Sequence, residues 1–181
     1  SEDSETEDND QDPIPEKPFV RDLTKPVLVA PKDITIEATG SLTPVDIGEA
    51  MAMDENGIQF LINNAPEMFS LGTSIIIWTA VDNSGNSSFA TQEVNVVDTT
   101  LPIISSISDK IVEAVSPYQN IVKLEVPDAD DILGVISVTS DAPEFFPLGE
   151  TIVTWTATDI AGNTASTEQR IILIDETTPV L

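Results

Sequence analysis

Apolar and polar residues alternate with a period of two along much of this chain, and the alternation recurs in a second copy further on. Val153, Trp155 and Ala157 are interleaved with Thr154, Thr156 and Thr158. That spacing predicts a strand with one buried and one solvated face. The run Arg170-Ile-Ile-Leu-Ile-Asp175 is β-branched and apolar, as a strand in the core of a sandwich should be. Between these two lies Asp159-Ile-Ala-Gly-Asn163, with the counterpart Asp82-Asn-Ser-Gly-Asn86. Gly and Asn tolerate positive φ, so each segment predicts a tight hairpin loop. Shorter strands are expected near Ile34–Ala38, Pro44–Ile47 and Gln59–Ile62, and again near Ile111–Ala114, Ile121–Val126 and Val135–Thr139. About seven short strands in each of two segments, with almost no helical periodicity, predict an all-β chain of two tandem immunoglobulin-like β-sandwiches. Trp78 and Trp155 are the expected core anchors, one in each.

The recurrence fixes the organisation. Asp22-Leu-Thr-Lys-Pro26 returns as Asp98-Thr-Thr-Leu-Pro102 and again as Asp175-Glu-Thr-Thr-Pro179. Ile36-Glu37-Ala38 matches Val112-Glu113-Ala114, and Ala65-Pro66-Glu67 matches Ala142-Pro143-Glu144. Leu71-Gly72 matches Leu148-Gly149, and Trp78-Thr-Ala-Val-Asp82 matches Trp155-Thr-Ala-Thr-Asp159. The expected division is residues 22–98 for the first repeat and 99–175 for the second, with 176–181 opening a further one. Residues 1–21 form an acidic leader: positions 1–16 hold eight carboxylates, no basic residue and almost nothing apolar. Such a segment cannot bury enough surface to offset its ordering entropy, which predicts disorder.

Composition narrows the function. The 181 residues carry 32 acidic against 7 basic side chains, a formal net charge of −25. A phosphate backbone or an anionic membrane surface needs a basic face, so neither nucleic acid nor a membrane surface is an expected partner. Direct membrane insertion is likewise not expected, since no stretch has the length of an apolar spanning helix. The charge favours cations, calcium above all, or a basic protein surface. Solubility alone is the simpler explanation of the same acidity. The chain has neither cysteine nor histidine. Disulfides, zinc sites with His or Cys ligands and Ser-His-Asp arrangements are therefore excluded, and no enzyme is expected.

The opening Asp-x-Thr-x-Pro, the Ile/Val-Glu-Ala strand, the Ala-Pro-x-x-Phe-x-Leu-Gly segment and the Trp-Thr-Ala-x-Asp-x-x-Gly-Asn hairpin together resemble the hyalin repeat (HYR) family of immunoglobulin-like extracellular domains. The resemblance covers roughly residues 22–175. It implies a sandwich used in tandem in cell-surface and matrix proteins, with adhesive or scaffolding roles and no catalysis. The chain departs from the pattern at Leu101, which replaces a second linker proline, and in the region after Glu113.

In immunoglobulin topology the chain enters a sandwich at the end that also bears the loops after its second and sixth strands. Three acidic groups then converge at the leading end of each repeat. For the second these are Asp98, the loop with Asp128, Asp130 and Asp131, and the hairpin with Asp159 and Asn163. For the first they are Asp22, Asp54 with Glu55, and Asp82 with Asn86. The trailing end of the preceding repeat adds Glu37 and Glu67. Calcium takes six to eight oxygen ligands, so a structural calcium is the expected cofactor at such a junction. The arrangement resembles cadherin junctions, where calcium stiffens consecutive sandwiches. Ordinary turn formers and strand terminators are the competing reading of the same residues. Asn86-Ser87-Ser88 is also a glycosylation sequon, which competes with a metal role for Asn86.

The function expected from these readings is a non-catalytic extracellular module in a surface stalk, layer or filament. Its partners would be neighbouring repeats, other copies of the chain or surface proteins. Two alternatives stay open: a ligand- or glycan-binding module, and accessory domains of a larger secreted enzyme.

Overall fold

The computed structural model describes residues 21–178. The expected leader lies outside this range except for Arg21, and so do the last three positions of the expected third repeat. Twelve strands follow in chain order: β1 (Val27–Val29), β2 (Ile34–Glu37), β3 (Met51–Met53), β4 (Ile58–Asn63), β5 (Gly72–Asp82), β6 (Ser87–Val97), β7 (Ile103–Ile104), β8 (Lys110–Glu113), β9 (Ala129–Asp130), β10 (Val135–Ser140), β11 (Gly149–Asp159) and β12 (Thr164–Ile174). They form two β-sandwich-like units of the same design. In the first, a four-stranded sheet of order β2-β6-β5-β4 faces the β1-β3 pair; in the second, β8-β12-β11-β10 goes with β7-β9. β2 runs parallel to β6 and β8 parallel to β12, and every other pairing is antiparallel.

Each unit has six strands where about seven were expected. The stretches Pro44–Ile47 and Ile121–Val126 form no ladder. Val45 and Ile47, like Val122 and Leu124, pack against their unit's core, so the two-residue period is real. Pro44 has no N–H to donate. The backbone pairs with another strand just before these stretches, by single bridges between Thr43 and Phe69 and between Asn120 and Phe146. Within them it is held by side chains, Gln92 on the Ile47 carbonyl and Lys110 on the Lys123 carbonyl. In the first unit Gly48, at φ 73°, then turns the chain aside.

The long hairpins carry the cores. Along β5 the buried positions are Ile76, Trp78, Ala80 and Asp82; along β11 they are Val153, Trp155, Ala157 and Asp159. Each buried indole must find an acceptor. Trp78 Nε1 donates to Gln92 Oε1 and Trp155 Nε1 to Gln169 Oε1, both at 3.2 Å. The buried glutamines in turn donate to the backbone carbonyls of Lys32, Ile47 and Ser108. The alternation that places the tryptophans inside also carries one carboxylate, Asp82 or Asp159, to the leading end of each unit.

The units meet through their own residues. Leu133, from the second unit, packs against the core cluster of the first. Glu37, the last residue of β2, accepts hydrogen bonds from Thr99 N (2.6 Å), Thr99 Oγ1 and Thr100 Oγ1 (3.1 Å each) in the connecting segment.

Candidate metal centre

Two acidic triads stand at the leading ends of the units. One carboxylate oxygen each from Asp98, Asp131 and Asp159 lies within 4.8 Å of the others, and Asp22, Asp54 and Asp82 form the equivalent group. The spacing fits calcium, since ligand atoms on opposite sides of an ion bonded at about 2.4 Å stand about 4.8 Å apart.

The local folding of each triad follows from its sequence. Asp159 closes the β11–β12 hairpin, its Oδ1 accepting from Asn163 N (2.8 Å) and its Oδ2 from Asn163 Nδ2 (2.9 Å). Asp82 makes the same bonds with Asn86, at 2.8 Å each, and also accepts from Ser84 N. Burial pushes both carboxyls up, but the Asn side-chain and backbone donors outweigh it and hold both below the ordinary carboxylate range. Asp131 folds its own loop by accepting from Leu133 N, as Asp54 does from Asn56 N. Asp98 is tied to the hairpin through its carbonyl, which accepts from Asn163 Nδ2 at 3.1 Å.

The two triads differ at the linker aspartate. Asp22 is well served: Thr24 Oγ1 donates at 2.6 Å, Thr24 N at 2.9 Å and Asn56 Nδ2 at 2.8 Å. Led by the Thr24 hydroxyl and the Asn56 amide, these donors lower its pKa to about 2. Asp98 has one side-chain hydrogen bond, from Thr100 N to Oδ1 at 3.1 Å. It is only 8% exposed, and its Oδ2 is buried without a hydrogen-bond partner. Burial first, and then the charges of Asp131, Asp159 and Glu37, raise its pKa against the single Thr100 bond. The hydroxyl that would have served Asp98 is Thr100 Oγ1, and Glu37 has taken it.

Of the residues expected here, Asp98, Asp131, Asp159 and Asn163 come together, as do Asp22, Asp54 and Asp82 with Asn86. Glu37 reaches the junction through the connecting threonines rather than as a member of the triad. Asp128, Asp130 and Glu67 are exposed and belong to neither triad. Asp128 contributes its carbonyl to Ser105 N, and Asp130 pairs with Ile103 in the small sheet. The sequon asparagine Asn86 has its amide committed to Asp82 Oδ2 and the Asp22 carbonyl, which opposes modification there. Asn56, Leu133, Thr24 and Thr100 were missed as determinants. Their signal was present in the repeat alignment, where Asp54-Glu-Asn-Gly57 faces Asp131-Ile-Leu-Gly134.

Comparison with known proteins bears on the second unit most directly, since residues 97–172 match the HYR domain family. Hyalin from Strongylocentrotus purpuratus is 35% identical over 173 residues, covering 87% of this chain and 14% of its own length. Hyalin from Lytechinus variegatus is 35% identical over 174 residues, covering 87% of this chain and 33% of its own. The chain thus spans a third or less of these relatives. The rat sushi, von Willebrand factor type A, EGF and pentraxin domain-containing protein 1 is 26% identical over 163 residues, covering 84% of this chain and 5% of its own length. A solved structure of Drosophila N-cadherin EC1-4 is 12% identical with a TM-score of 0.40, covering 84% of this chain and 50% of its own. The opening motif, the Trp-Thr-Ala hairpin and the family match agree that residues 97–172 carry an HYR domain.

Proposed function

We propose that the chain is a non-catalytic extracellular module of two tandem repeats, residues 22–98 and 99–175, whose junction is stiffened by a structural calcium ion. Residues 176–181 open a further repeat, and the module serves a surface stalk, layer or filament. One observation carries this reading: Asp98 keeps a buried, unpartnered carboxylate oxygen beside Asp131 and Asp159 at the boundary between two units. A cation there would relieve the mutual repulsion of three carboxylates and tie the connecting segment to the second unit. The first unit already holds the other side of that segment through Glu37. The ion would thus join two rigid bodies through four linker residues, Asp98 to Leu101.

The test is a calcium titration of the EDTA-treated chain, with magnesium as control, followed by melting temperature and small-angle scattering. The expected result is a rise in melting temperature with a narrower, more extended distribution of shapes. A chain that ignores calcium in both measurements would sink the proposal.

A second reading, lateral adhesion, has its own support. The outer face of the first unit's large sheet exposes Phe60, Ile62, Ile75, Ile77 and Phe89. The second unit carries Ser137, Thr139, Ile152, Thr154 and Ser166 at the matching positions. An apolar face of this kind marks a contact site more often than a solvated surface. With no charge among those five side chains, a second copy is the occupant this reading favours. Sedimentation velocity across concentration would reveal such self-association.

A further inference from the structure

Resting on the calcium reading above, we propose that only one of the two triads takes the ion: Asp98, Asp131 and Asp159 bind it, while in the first unit Asn56 stands in for it. Both triads occupy matching positions of the repeat, and in each a carboxylate oxygen of every aspartate lies within 4.8 Å of the others. What separates them is the number of donors already spent on the linker aspartate. In the first unit the Asn56 amide bonds Asp22 Oδ2 and the Thr24 hydroxyl bonds Asp22 Oδ1. These are partial positive charges held permanently where a cation would otherwise neutralise the cluster, so an arriving ion must displace them. In the second unit the residue equivalent to Asn56 is Leu133, which has no donor and packs against the first unit's core. The equivalent of Thr24 is Thr100, whose hydroxyl is drawn away by Glu37. The Leu133 difference thus leaves Asp98 Oδ2 buried and unbonded, and the Thr100 difference leaves Oδ1 with the Thr100 N–H alone.

Both residues also touch the first unit: Leu133 packs against its core, and its Glu37 holds the Thr100 hydroxyl. The junction thus shapes the surroundings of Asp98, while the open Oδ2 itself follows from Leu133 having no side-chain donor where Asn56 has one.

The experiment is calorimetric titration of calcium chloride into the full EDTA-treated chain and its variants, with the fold monitored by circular dichroism. The wild-type chain should bind one ion tightly, above the weak background of the acidic leader. Asp98→Asn and Asp131→Asn should remove that site, and Asp22→Asn and Asp54→Asn should leave it. Asn56→Leu should add a second tight site. Leu133→Asn should weaken the first, because the new amide would bond Asp98 Oδ2 as Asn56 bonds Asp22 and an arriving ion would have to displace it. Leu133→Ala, which loses the packing but adds no amide, should keep the site and so separates the two effects. Two equivalent sites in the wild-type chain, or one site lost with Asp22→Asn and kept with Asp98→Asn, would overturn the assignment while leaving calcium binding intact. No tight binding by the wild-type chain would overturn the calcium reading itself.

Discussion

At the leading end of the first unit, Asp22, Asp54 and Asp82 sit in the same fold positions as Asp98, Asp131 and Asp159 at the leading end of the second. Yet the linker carboxyls of the two triads are displaced in opposite directions, Asp22 down to about 2 and Asp98 upward. Burial and then the neighbouring carboxylates push Asp98 up against a single hydrogen bond, whereas the donors around Asp22 outweigh its burial. The Asn56 amide and the Thr24 hydroxyl satisfy Asp22, whereas near Asp98 a leucine stands in place of the amide and the matching hydroxyl is bonded to Glu37. Two clusters of identical acidic composition can therefore be, in one case, a finished hydrogen-bond network and, in the other, an unfinished one. Counting acidic residues cannot tell these apart; accounting for each oxygen can.

The largest effect should come from breaking the unfinished cluster. Calcium at roughly 100 times its Kd stabilises a folded domain by about 2.7 kcal/mol, or roughly 10–20 °C for a domain of this size. Asp98→Asn should abolish that rise in calorimetry of the second unit, and Asp22→Asn should leave it intact. Asn56→Leu sharpens the comparison from the other side. It should give the first unit's transition a calcium dependence that the wild-type transition lacks, seen as an upward shift on adding calcium.

How far the sequence revealed this depends on the kind of interaction involved. The sandwiches, the buried tryptophans and the hairpin loops follow from period-two alternation and turn residues, which are local signals, and the recurrence of the same motifs shows the two segments to be alike. The stretches Pro44–Ile47 and Ile121–Val126 have that alternation too, but a ladder also needs a partner strand with free donors and acceptors. The sequence pattern shows which side chains point inward and not which backbones pair. At the site, Asp98, Asp131 and Asp159 were legible because topology brings their loops together. Asp128 and Asp130 were not separable from Asp131 by composition: one lends its carbonyl to Ser105 and the other lies in β9. The decisive residues, Asn56 and Leu133, carry no charge and act by what they donate or withhold.

A smaller effect is expected at the apolar side of the junction. Leu133→Ala removes part of a packed side chain and should cost about 1 kcal/mol. Without calcium it should also broaden the distance distribution between labels placed on the two units, and calcium should restore much of the order. The smallest effect on stability concerns the outer sheet faces. Phe89→Ser, which installs the second unit's residue at that position, should change stability by no more than about 0.5 kcal/mol. It should nevertheless reduce any concentration-dependent association seen by sedimentation, because Phe89 is largely exposed on the apolar face.

The most direct measurement is a crystal structure of the chain grown in calcium, with anomalous scattering used to locate the ions. The account predicts a calcium peak bonded to Asp98, Asp131 and Asp159 at about 2.3–2.6 Å. Asp22 should still be hydrogen-bonded to Asn56, with no peak beside it. Equal peaks at both triads, or a peak at Asp22 and none at Asp98, would contradict it.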